Sequence, residues 1–523
     1  MFTLLRAVFL LVSLVLVAGC TTRHQSAPDK APWTSMTILQ LQEEMGAGRL
    51  TSEALTDFYL RRIQAEDGAY NSVITTNPVA LDIARQRDEE RKAGQLRGPL
   101  HGIPILIKDN IETLDMPTTA GSLAFANMQT GRDATLTANL RNAGAVILGK
   151  TNLSEWANMR SERSSSGWSA VGGQTRNPHD PSRTPCGSSS GSGAAVAAGF
   201  AVAAIGTETN GSITCPASMN GVVGMKPTVG LVSRFGVVPI SHTQDTAGPM
   251  TASVMDAAII LAAMQSEDPR DSATREEGIT RTGLSDITKT PLSQVRLGWV
   301  HSSATRHESV AALEASLIEA LKAADVDITD KLSHSPYDGF WNDTYTVLLY
   351  EFKHTLNHYL TDLPVADRVK TLESLIAFNQ QNREREMPYF MQEIFVKAQE
   401  KGTLDEPEYQ QALSAVRRET QSGINQLLDD NSADVLIAIT RGPAWSIDVV
   451  NGDNGSGGVS TYPAVAGYPH ITLPLGKVHG LPVGLSVMGK KGDDATVMAI
   501  AYQLEAWLRS NPMPEIGARP PAQ

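Results

Sequence analysis

Residues 185–217, PCGSSSGSGAAVAAGFAVAAIGTETNGSITCPA, are the most informative part of the chain. Two short loops rich in Gly and Ser, residues 186–191 and 206–212, enclose an apolar run. Residues 194–204 are apolar on every side, which predicts a helix buried inside the protein. Glycine lets the backbone approach a ligand closely, so consecutive N–H groups of the second loop could stabilise a developing oxyanion. A phosphate would also fit such a loop, although residues 187–191 lack the Lys-Ser/Thr ending of a P-loop.

Strands and helices alternate along the rest of the chain. Hydrophobic patterning predicts strands at residues 102–107, 145–149, 295–300, 435–439 and 471–475. It predicts helices at residues 35–65 (divided near Thr51), 136–142, 153–159 and 306–324. Residues 340–430 are mainly helical in pattern and more polar, which is typical of a cap or insertion beside a site. The alternation predicts an α/β fold with a central mixed β-sheet flanked by α-helices.

Composition and charge exclude several classes of protein. The chain has 523 residues, 41% of them hydrophobic and 19% charged, which is typical of a globular protein. A formal net charge of −12 argues against a nucleic-acid partner, which requires a clustered basic face. Three cysteines, Cys20, Cys186 and Cys215, are too few and too scattered for a disulfide framework or a thiolate metal site. We expect no metal site and no cofactor, and we expect Cys186 and Cys215 to be buried, inert thiols.

The N-terminus has the pattern of an export signal. Residues 1–20 read MFTLLRAVFLLVSLVLVAGC, with a short positive start and an apolar run over residues 7–18. That run is shorter than the roughly 20 residues that cross a hydrocarbon core, and it is typical of a signal peptide. Val17-Ala18-Gly19-Cys20 resembles the bacterial lipobox; a plain secretory signal or an uncleaved anchor is the alternative. The sequence therefore predicts a lipoprotein signal peptide over residues 1–19 and a tether over residues 20–34 lipidated at Cys20. It also predicts a lipid-anchored location in the bacterial cell envelope, on the periplasmic side of the outer membrane.

Further motifs occur in the order found in one enzyme family. They are HGIPILIKD at residues 101–109, GKTN at 149–152, GMKPT at 224–228, GYP at 467–469 and PVGL at 482–485. Together with the two Gly/Ser loops they resemble the amidase signature family over roughly residues 35–510, and its bacterial peptide amidase branch in particular. The resemblance implies an amidase domain over residues 35–515 that includes the helical region 340–430. Cys186, where the family usually has glycine, and Cys215 depart from the commoner pattern.

The resemblance implies a Ser-Ser-Lys triad formed by Ser212, Ser188 and Lys108. Ser212 would attack the amide carbonyl and form an acyl-enzyme intermediate. Ser188, which follows a cis peptide bond in the family, would relay the proton between Ser212 and Lys108. Lys108 must be neutral to act as a base, and burial at the end of an apolar strand lowers its pKa in the required direction.

The second loop is expected to hold the oxyanion. Its backbone N–H groups at Thr209, Asn210 and Gly211 would bind the developing negative charge of the substrate. The resemblance assigns Glu208 the role of bracing this loop. The expected ligand is a small-molecule or peptide amide, with C-terminal peptide amides among the candidates, and selectivity is expected to lie in residues 340–430 and in the loop 161–177.

Other functions fit parts of the same pattern. GSSSG at residues 187–191 satisfies the G-x-S-x-G elbow of α/β-hydrolases, with Ser189 as nucleophile. That motif requires a strand immediately before it, whereas residues 177–185 contain several prolines. The glutaminase component of an amidotransferase that acts on charged tRNA would share the fold, as would a non-catalytic envelope protein that only binds its ligand.

Overall fold

A mixed β-sheet of eleven strands forms the centre of the molecule. The computed structural model describes residues 32–281, 287–363, 369–455 and 457–517. Its strands are β1 (Val73–Thr76), β2 (Pro104–Lys108), β3 (Val146–Thr151), β4 (Trp168–Ser169), β5 (Gly173–Gln174), β6 (Ala203–Glu208), β7 (Val223–Lys226), β8 (Thr246–Thr251), β9 (Arg296–Val300), β10 (Asp327–Leu332), β11 (Val435–Ile439), β12 (His470–Val478) and β13 (Leu481–Met488).

Helices cover the sheet. They are α1 (Ile38–Gly46), α2 (Ser52–Glu66), α3 (Ala80–Lys92), α4 (Thr135–Asn142), α5 (Ser190–Ala197), α6 (Thr214–Asn220), α7 (Val254–Met264), α8 (Glu308–Ala323), α9 (Phe340–Asp362), α10 (Leu372–Gln381), α11 (Arg383–Glu386), α12 (Glu393–Gln399), α13 (Pro407–Asp430), α14 (Thr461–Ala466) and α15 (Asp494–Ser510). The sheet order is β1-β3-β2-β6-β8-β7-β12-β13-β11-β9-β10, and β4 and β5 form a separate hairpin.

The sheet is mixed, as the alternating pattern predicts. β2 lies parallel to both β3 and β6, and β9 lies parallel to both β10 and β11. β6 is antiparallel to β8, and β12 is antiparallel to both β7 and β13. Every residue of β2 and β6 is buried, which explains their continuous apolar sequences because both faces of these strands are covered. β2 therefore carries Lys108 into the interior at its C-terminal end.

Most of the predicted elements are confirmed. Thr51 divides the first helical region, because its side chain caps α2 by accepting a hydrogen bond from the N–H of Ala54. The amphipathic pattern at residues 306–324 is α8, and its four apolar positions are buried: Val310, Leu313, Leu317 and Leu321. The predicted strands near residues 104, 146, 296, 435 and 471 are all present.

The predicted helix over residues 194–204 is wrong. α5 ends at Ala197, the chain turns at Gly199 with a positive φ of 71°, and β6 begins at Ala203. The apolar run therefore contains the end of a helix and the start of a central strand. Hydrophobicity alone does not separate these two cases, since both elements are surrounded by protein.

Residues 340–430 form mainly helices, α9 to α13. α9, α10 and α12 share a hydrophobic cluster with side chains of residues 120–159, in which Phe352 and Phe395 pack with Phe125 and Trp156. The rings of Trp156 and Phe395 meet edge to face with centroids 5.8 Å apart. This cluster fixes the helical region against the chain segment that follows β3. Among the residues described, no helix has the length and apolar character needed to span a membrane.

Candidate active site

The two Gly/Ser loops lie side by side at the ends of buried elements. The first loop leads into α5, and the second connects the end of β6 at Glu208 to the start of α6 at Thr214. The N–H of Ser189 donates to the carbonyl oxygen of Ser212 at 3.1 Å. This hydrogen bond places Ser188 and Ser212 on adjacent loops although they are far apart in sequence.

A disulfide joins the same two loops. Cys186 and Cys215 are bonded, with Cα atoms 6.0 Å apart and a sequence separation of 29 residues. The prediction of two inert free thiols is therefore wrong. Sequence spacing gave no indication of the pairing, because the chain returns through α5 and β6 and brings residue 215 back beside residue 186. Each end of the bond lies within three residues of Ser188 or Ser212.

Lys108 reaches the first loop from the end of β2. Its Nζ donates to Ser188 Oγ at 2.8 Å and to Thr207 Oγ1 at 2.8 Å. The side chain is completely buried. Desolvation holds the pKa of Lys108 well below its ordinary value of 10.5, opposed by the negative charges of Asp245 and Glu208. The site therefore favours a neutral amine that can accept a proton from Ser188.

The two serines differ in exposure. Ser188 is fully buried, whereas Ser212 is 8% exposed and lines a cavity of about 240 Å³. The Gly187–Ser188 peptide bond is cis. Within the described part of the chain the Oγ of Ser212 makes no hydrogen bond, so the hydroxyl is available to a bound ligand. A larger cavity of about 480 Å³, beside Arg234 and His242, contains neither serine.

The backbone of the second loop presents donors to the same cavity. Thr209, Asn210, Gly211 and Ser212 all line it, and within the residues that the structure describes none of their N–H groups donates a hydrogen bond. The carboxylate of Glu208 accepts from the N–H groups of Ile213 at 2.8 Å and Thr214 at 3.0 Å. It therefore fixes the chain immediately after Ser212 and holds residues 209–212 at the edge of the cavity.

Asp245 fixes the other side of this loop. Its carboxylate accepts from Thr209 Oγ1 at 2.6 Å, from the N–H of Ile240 at 2.7 Å and from the N–H of Ser241 at 2.9 Å. Burial raises the pKa of Asp245 to about 6, against the effect of these hydrogen bonds. The sequence favours a structural role over a catalytic one for Asp245, but its position 33 residues after Ser212 gives no indication of this particular contact.

Ser189 has a structural position. Its Oγ donates to the carbonyl oxygen of Thr207 at 3.0 Å and accepts from the N–H of the same residue at 3.1 Å. The segment before it is not a strand. Both observations contradict an α/β-hydrolase elbow with Ser189 as nucleophile.

Several polar residues of the site were not identified from the sequence, among them Thr207, Arg441 and Asp453. Thr207 lies next to Lys108, while Arg441 and Asp453 line the cavity from a distant part of the chain. Thr207 lies within residues 206–212, and the composition of this stretch already indicates a functional loop, so the sequence could have identified Thr207 as a candidate. Arg441 and Asp453 follow β11 in a region without a motif, so nothing in the sequence connects them with Ser212.

Comparison with known proteins places these features in a family. The sequence model described as Amidase matches residues 54–498. The native peptide amidase of Stenotrophomonas maltophilia is similar in structure, with 44% identity, a TM-score of 0.86, and 94% of this chain and 99% of that chain covered. A probable amidase of Arabidopsis thaliana is 37% identical over 90% of this chain and 89% of its own length. One subunit of the glutamyl-tRNA(Gln) amidotransferase of Caldanaerobacter subterraneus is 32% identical over 92% of this chain and 98% of its own length.

The predicted location in the bacterial cell envelope is wrong. The relatives of this chain include amidases of a plant and of fungi, together with the peptide amidase, and none of these findings indicates an envelope lipoprotein. The prediction depended on a short apolar run and one cysteine, whereas the similarity to these amidases extends over most of the chain. The predicted signal peptide over residues 1–19 and the predicted lipidation site Cys20 lie outside the described residues.

Proposed function

The chain belongs to the amidase family and is an amide hydrolase, and from this premise we propose that Ser212, Ser188 and Lys108 are its catalytic residues. The observation that carries the proposal is the hydrogen bond of 2.8 Å between Lys108 Nζ and Ser188 Oγ inside the protein. A buried lysine with a lowered pKa, next to a serine on the loop beside Ser212, has the properties of a general base that acts through a relay.

Acylation begins with attack by Ser212 Oγ on the amide carbonyl carbon. The proton of Ser212 passes to Ser188 Oγ while Ser188 transfers its own proton to Lys108 Nζ. The carbonyl oxygen becomes an oxyanion, and the free N–H groups of the loop 209–212 stabilise it. Lys108, now an ammonium, returns the proton through Ser188 to the leaving nitrogen, and the C–N bond breaks.

Deacylation uses the same relay with water as the nucleophile. The proton of the attacking water passes through Ser188 to Lys108, and the oxyanion forms again in the loop 209–212. Collapse of this intermediate breaks the ester bond and returns the proton to Ser212 Oγ. The carboxylic acid leaves, and the three residues regain their starting protonation states.

C-terminal peptide amides are the substrates that we propose. The peptide amidase of Stenotrophomonas maltophilia supports this choice, because its similarity to this chain covers nearly the whole length of both proteins. Free glutamine is the alternative, supported by the similarity to the glutamyl-tRNA(Gln) amidotransferase of Caldanaerobacter subterraneus. The identity to the peptide amidase, 44% against 32%, favours the first.

The test is hydrolysis by purified protein of a panel of C-terminally amidated dipeptides, simple amides and glutamine. Wild type is compared with Ser212→Ala and with Ser510→Ala, an exposed serine at the end of α15. We expect ammonia release from peptide amides by wild type and Ser510→Ala, and a loss of at least about 1,000-fold in Ser212→Ala. Equal release by all three proteins would exclude Ser212 as the nucleophile. Release from glutamine alone would favour the alternative.

A further inference from the structure

Arg441 lines the cavity next to Ser212, and no residue in the described part of the chain accepts a hydrogen bond from its side chain. It follows β11, and its backbone pairs with that of Gly458. Its Nε is buried and unsatisfied, and its guanidinium makes no ion pair or hydrogen bond with any residue that the structure describes. The guanidinium carbon lies 5.7 Å from the ring centroid of Trp445, so the ring supports the side chain from one side.

The carboxylate in the same cavity does not satisfy Arg441. Asp453 accepts from the N–H of Ser166 at 3.0 Å, from Ser166 Oγ, and from Trp445 Nε1 at 3.1 Å. Its charge attracts Arg441 only at a distance, because no ion pair forms between them. These three donors already compensate Asp453, whereas the five N–H groups of Arg441 are left for a ligand.

A guanidinium is well suited to one kind of ligand. Its planar, permanently charged fork matches a carboxylate, with which it forms two parallel hydrogen bonds. A buried donor without an acceptor is unfavourable, so a ligand that supplies the acceptor gains affinity. A cationic side chain in the same cavity would be repelled.

We infer that Arg441 binds a carboxylate on the acyl part of the substrate, so that the enzyme prefers amides of C-terminal Asp or Glu residues. The inference rests on the proposed function. When the leaving group is ammonia, all the parts of the substrate that a cavity residue can recognise belong to the acyl part. Arg441 then determines specificity, while Ser212 and the loop 209–212 carry out the reaction.

The experiment measures kcat/KM on three amides that differ only in the side chain: N-acetyl-glutamic acid α-amide, N-acetyl-leucine amide and N-acetyl-lysine amide. We expect wild type to prefer the glutamic acid amide over the leucine amide by about 10- to 100-fold, which corresponds to one hydrogen-bonded charge pair. The lysine amide is expected to be the poorest substrate. Arg441→Met, which keeps the apolar stem, is expected to remove the preference mainly through KM, and Arg441→Lys to retain part of it.

The ratio of kcat/KM for the glutamic acid amide to kcat/KM for the leucine amide distinguishes a loss of substrate recognition from a loss of folding. A purely structural Arg441 would lower kcat/KM for the glutamic acid and leucine amides alike, and an unchanged ratio in Arg441→Met would overturn the inference. Arg306→Met, at an exposed arginine far along the chain from the site, is the matched control and should keep the wild-type ratio. Should Arg441→Met fail to fold, a wild type without a preference for the glutamic acid amide would still overturn it. If the enzyme cleaves the leucine amide but does not prefer the glutamic acid amide, the inference about Arg441 is wrong and the proposed function is unaffected. If it cleaves none of the amides, the result contradicts both the inference and the proposed function.

Discussion

Among the residues that the structure describes, three lysines in strands of the sheet are fully buried: Lys108, Lys150 and Lys226. Lys150 Nζ lies 3.2 Å from a carboxylate oxygen of Asp109 and donates to the carbonyl oxygen of Ile111 at 2.8 Å. Lys226 donates to the carbonyl oxygen of Pro227 at 3.0 Å. Lys108 alone of the three donates to Ser188. All three lie in motifs of the family, and the resemblance assigns the proposed base to Lys108, the one of the three that contacts Ser188.

Replacing Lys108 is expected to abolish activity and stabilise the fold. Lys108→Met removes the proposed base and should lower kcat by at least about 100-fold. The folded state holds this lysine with a lowered pKa, so between that pKa and 10.5 the unfolded chain binds a proton that the folded protein does not. Stability from this group therefore rises with pH in that window. The variant should unfold at a higher temperature than wild type near pH 7, and this advantage should shrink as the pH approaches 10.5.

Lys150→Met is the matched control for that stability measurement. It leaves the buried carboxylate of Asp109 without its cation, and loss of one partner of a buried pair costs about 3–5 kcal/mol. When thermal unfolding is measured at several pH values, the unfolding temperature near pH 7 should therefore be higher than that of wild type for Lys108→Met and lower for Lys150→Met. A destabilised Lys108→Met at pH 7 would contradict a neutral lysine at that position.

Asp245 is expected to set the pH at which the enzyme becomes active. Its charge raises the pKa of Lys108, opposing desolvation, and its own pKa of about 6 makes it an anion at neutral pH. Asp245→Asn removes that charge, so the rise of kcat/KM with pH should occur at lower pH than in wild type. The plateau should fall about 10-fold or more, because the contacts with Thr209 and the 240–241 backbone are disturbed. If kcat/KM of Asp245→Asn rises with pH over the same range as in wild type, the charge of Asp245 does not influence the pKa of Lys108.

At the scale of elements, hydrophobic patterning predicts which segments are buried, but it does not distinguish a buried helix from a buried strand. The strand that carries Lys108 is predictable because its apolar run is short and ends at a charge. The apolar run after Gly193 is ambiguous and hides the start of β6. The disulfide is not predictable either, because its partners are brought together only by the return of the chain through α5 and β6.

Removal of the disulfide is expected to destabilise the protein and loosen the site. A bond that closes a loop with a separation of 29 residues stabilises the folded state by about 3–4 kcal/mol in the chain-entropy account. The double variant Cys186→Ala, Cys215→Ala should lose up to that amount in denaturant unfolding. Its kcat should fall as well, since the two cysteines lie two and three residues from Ser188 and Ser212, the proposed catalytic serines.

A reducing agent provides the control for this prediction. It should lower the unfolding midpoint of wild type toward that of the double variant and leave the variant unchanged. A wild-type midpoint that is insensitive to reduction, although free-thiol titration shows that Cys186 and Cys215 have been reduced, would mean that other contacts hold the two loops together.

At the scale of the molecule, one buried carboxylate ties the helical region to the site. Glu351, on α9, accepts from Ser241 Oγ and from Thr243 Oγ1 at 3.0 Å, and from Tyr409 OH of α13 at 2.8 Å. Ser241 in turn donates its N–H to Asp245. The helical pattern of residues 340–430 is visible in the sequence, but this connection is not, because it joins residues about 110 positions apart.

Glu351→Ala is expected to affect stability and catalysis together. It leaves three buried hydroxyl donors without their acceptor, which should lower the free energy of unfolding by about 2–4 kcal/mol. Because the freed segment 241–243 adjoins Asp245, the loop that holds Thr209 should also lose its position, and kcat should fall more than KM rises. Glu400→Ala, an exposed carboxylate in the same helical region, should change neither quantity. If Glu351→Ala is destabilised but keeps the wild-type kcat at a temperature where it is folded, the helical region stabilises the fold without positioning the catalytic loop.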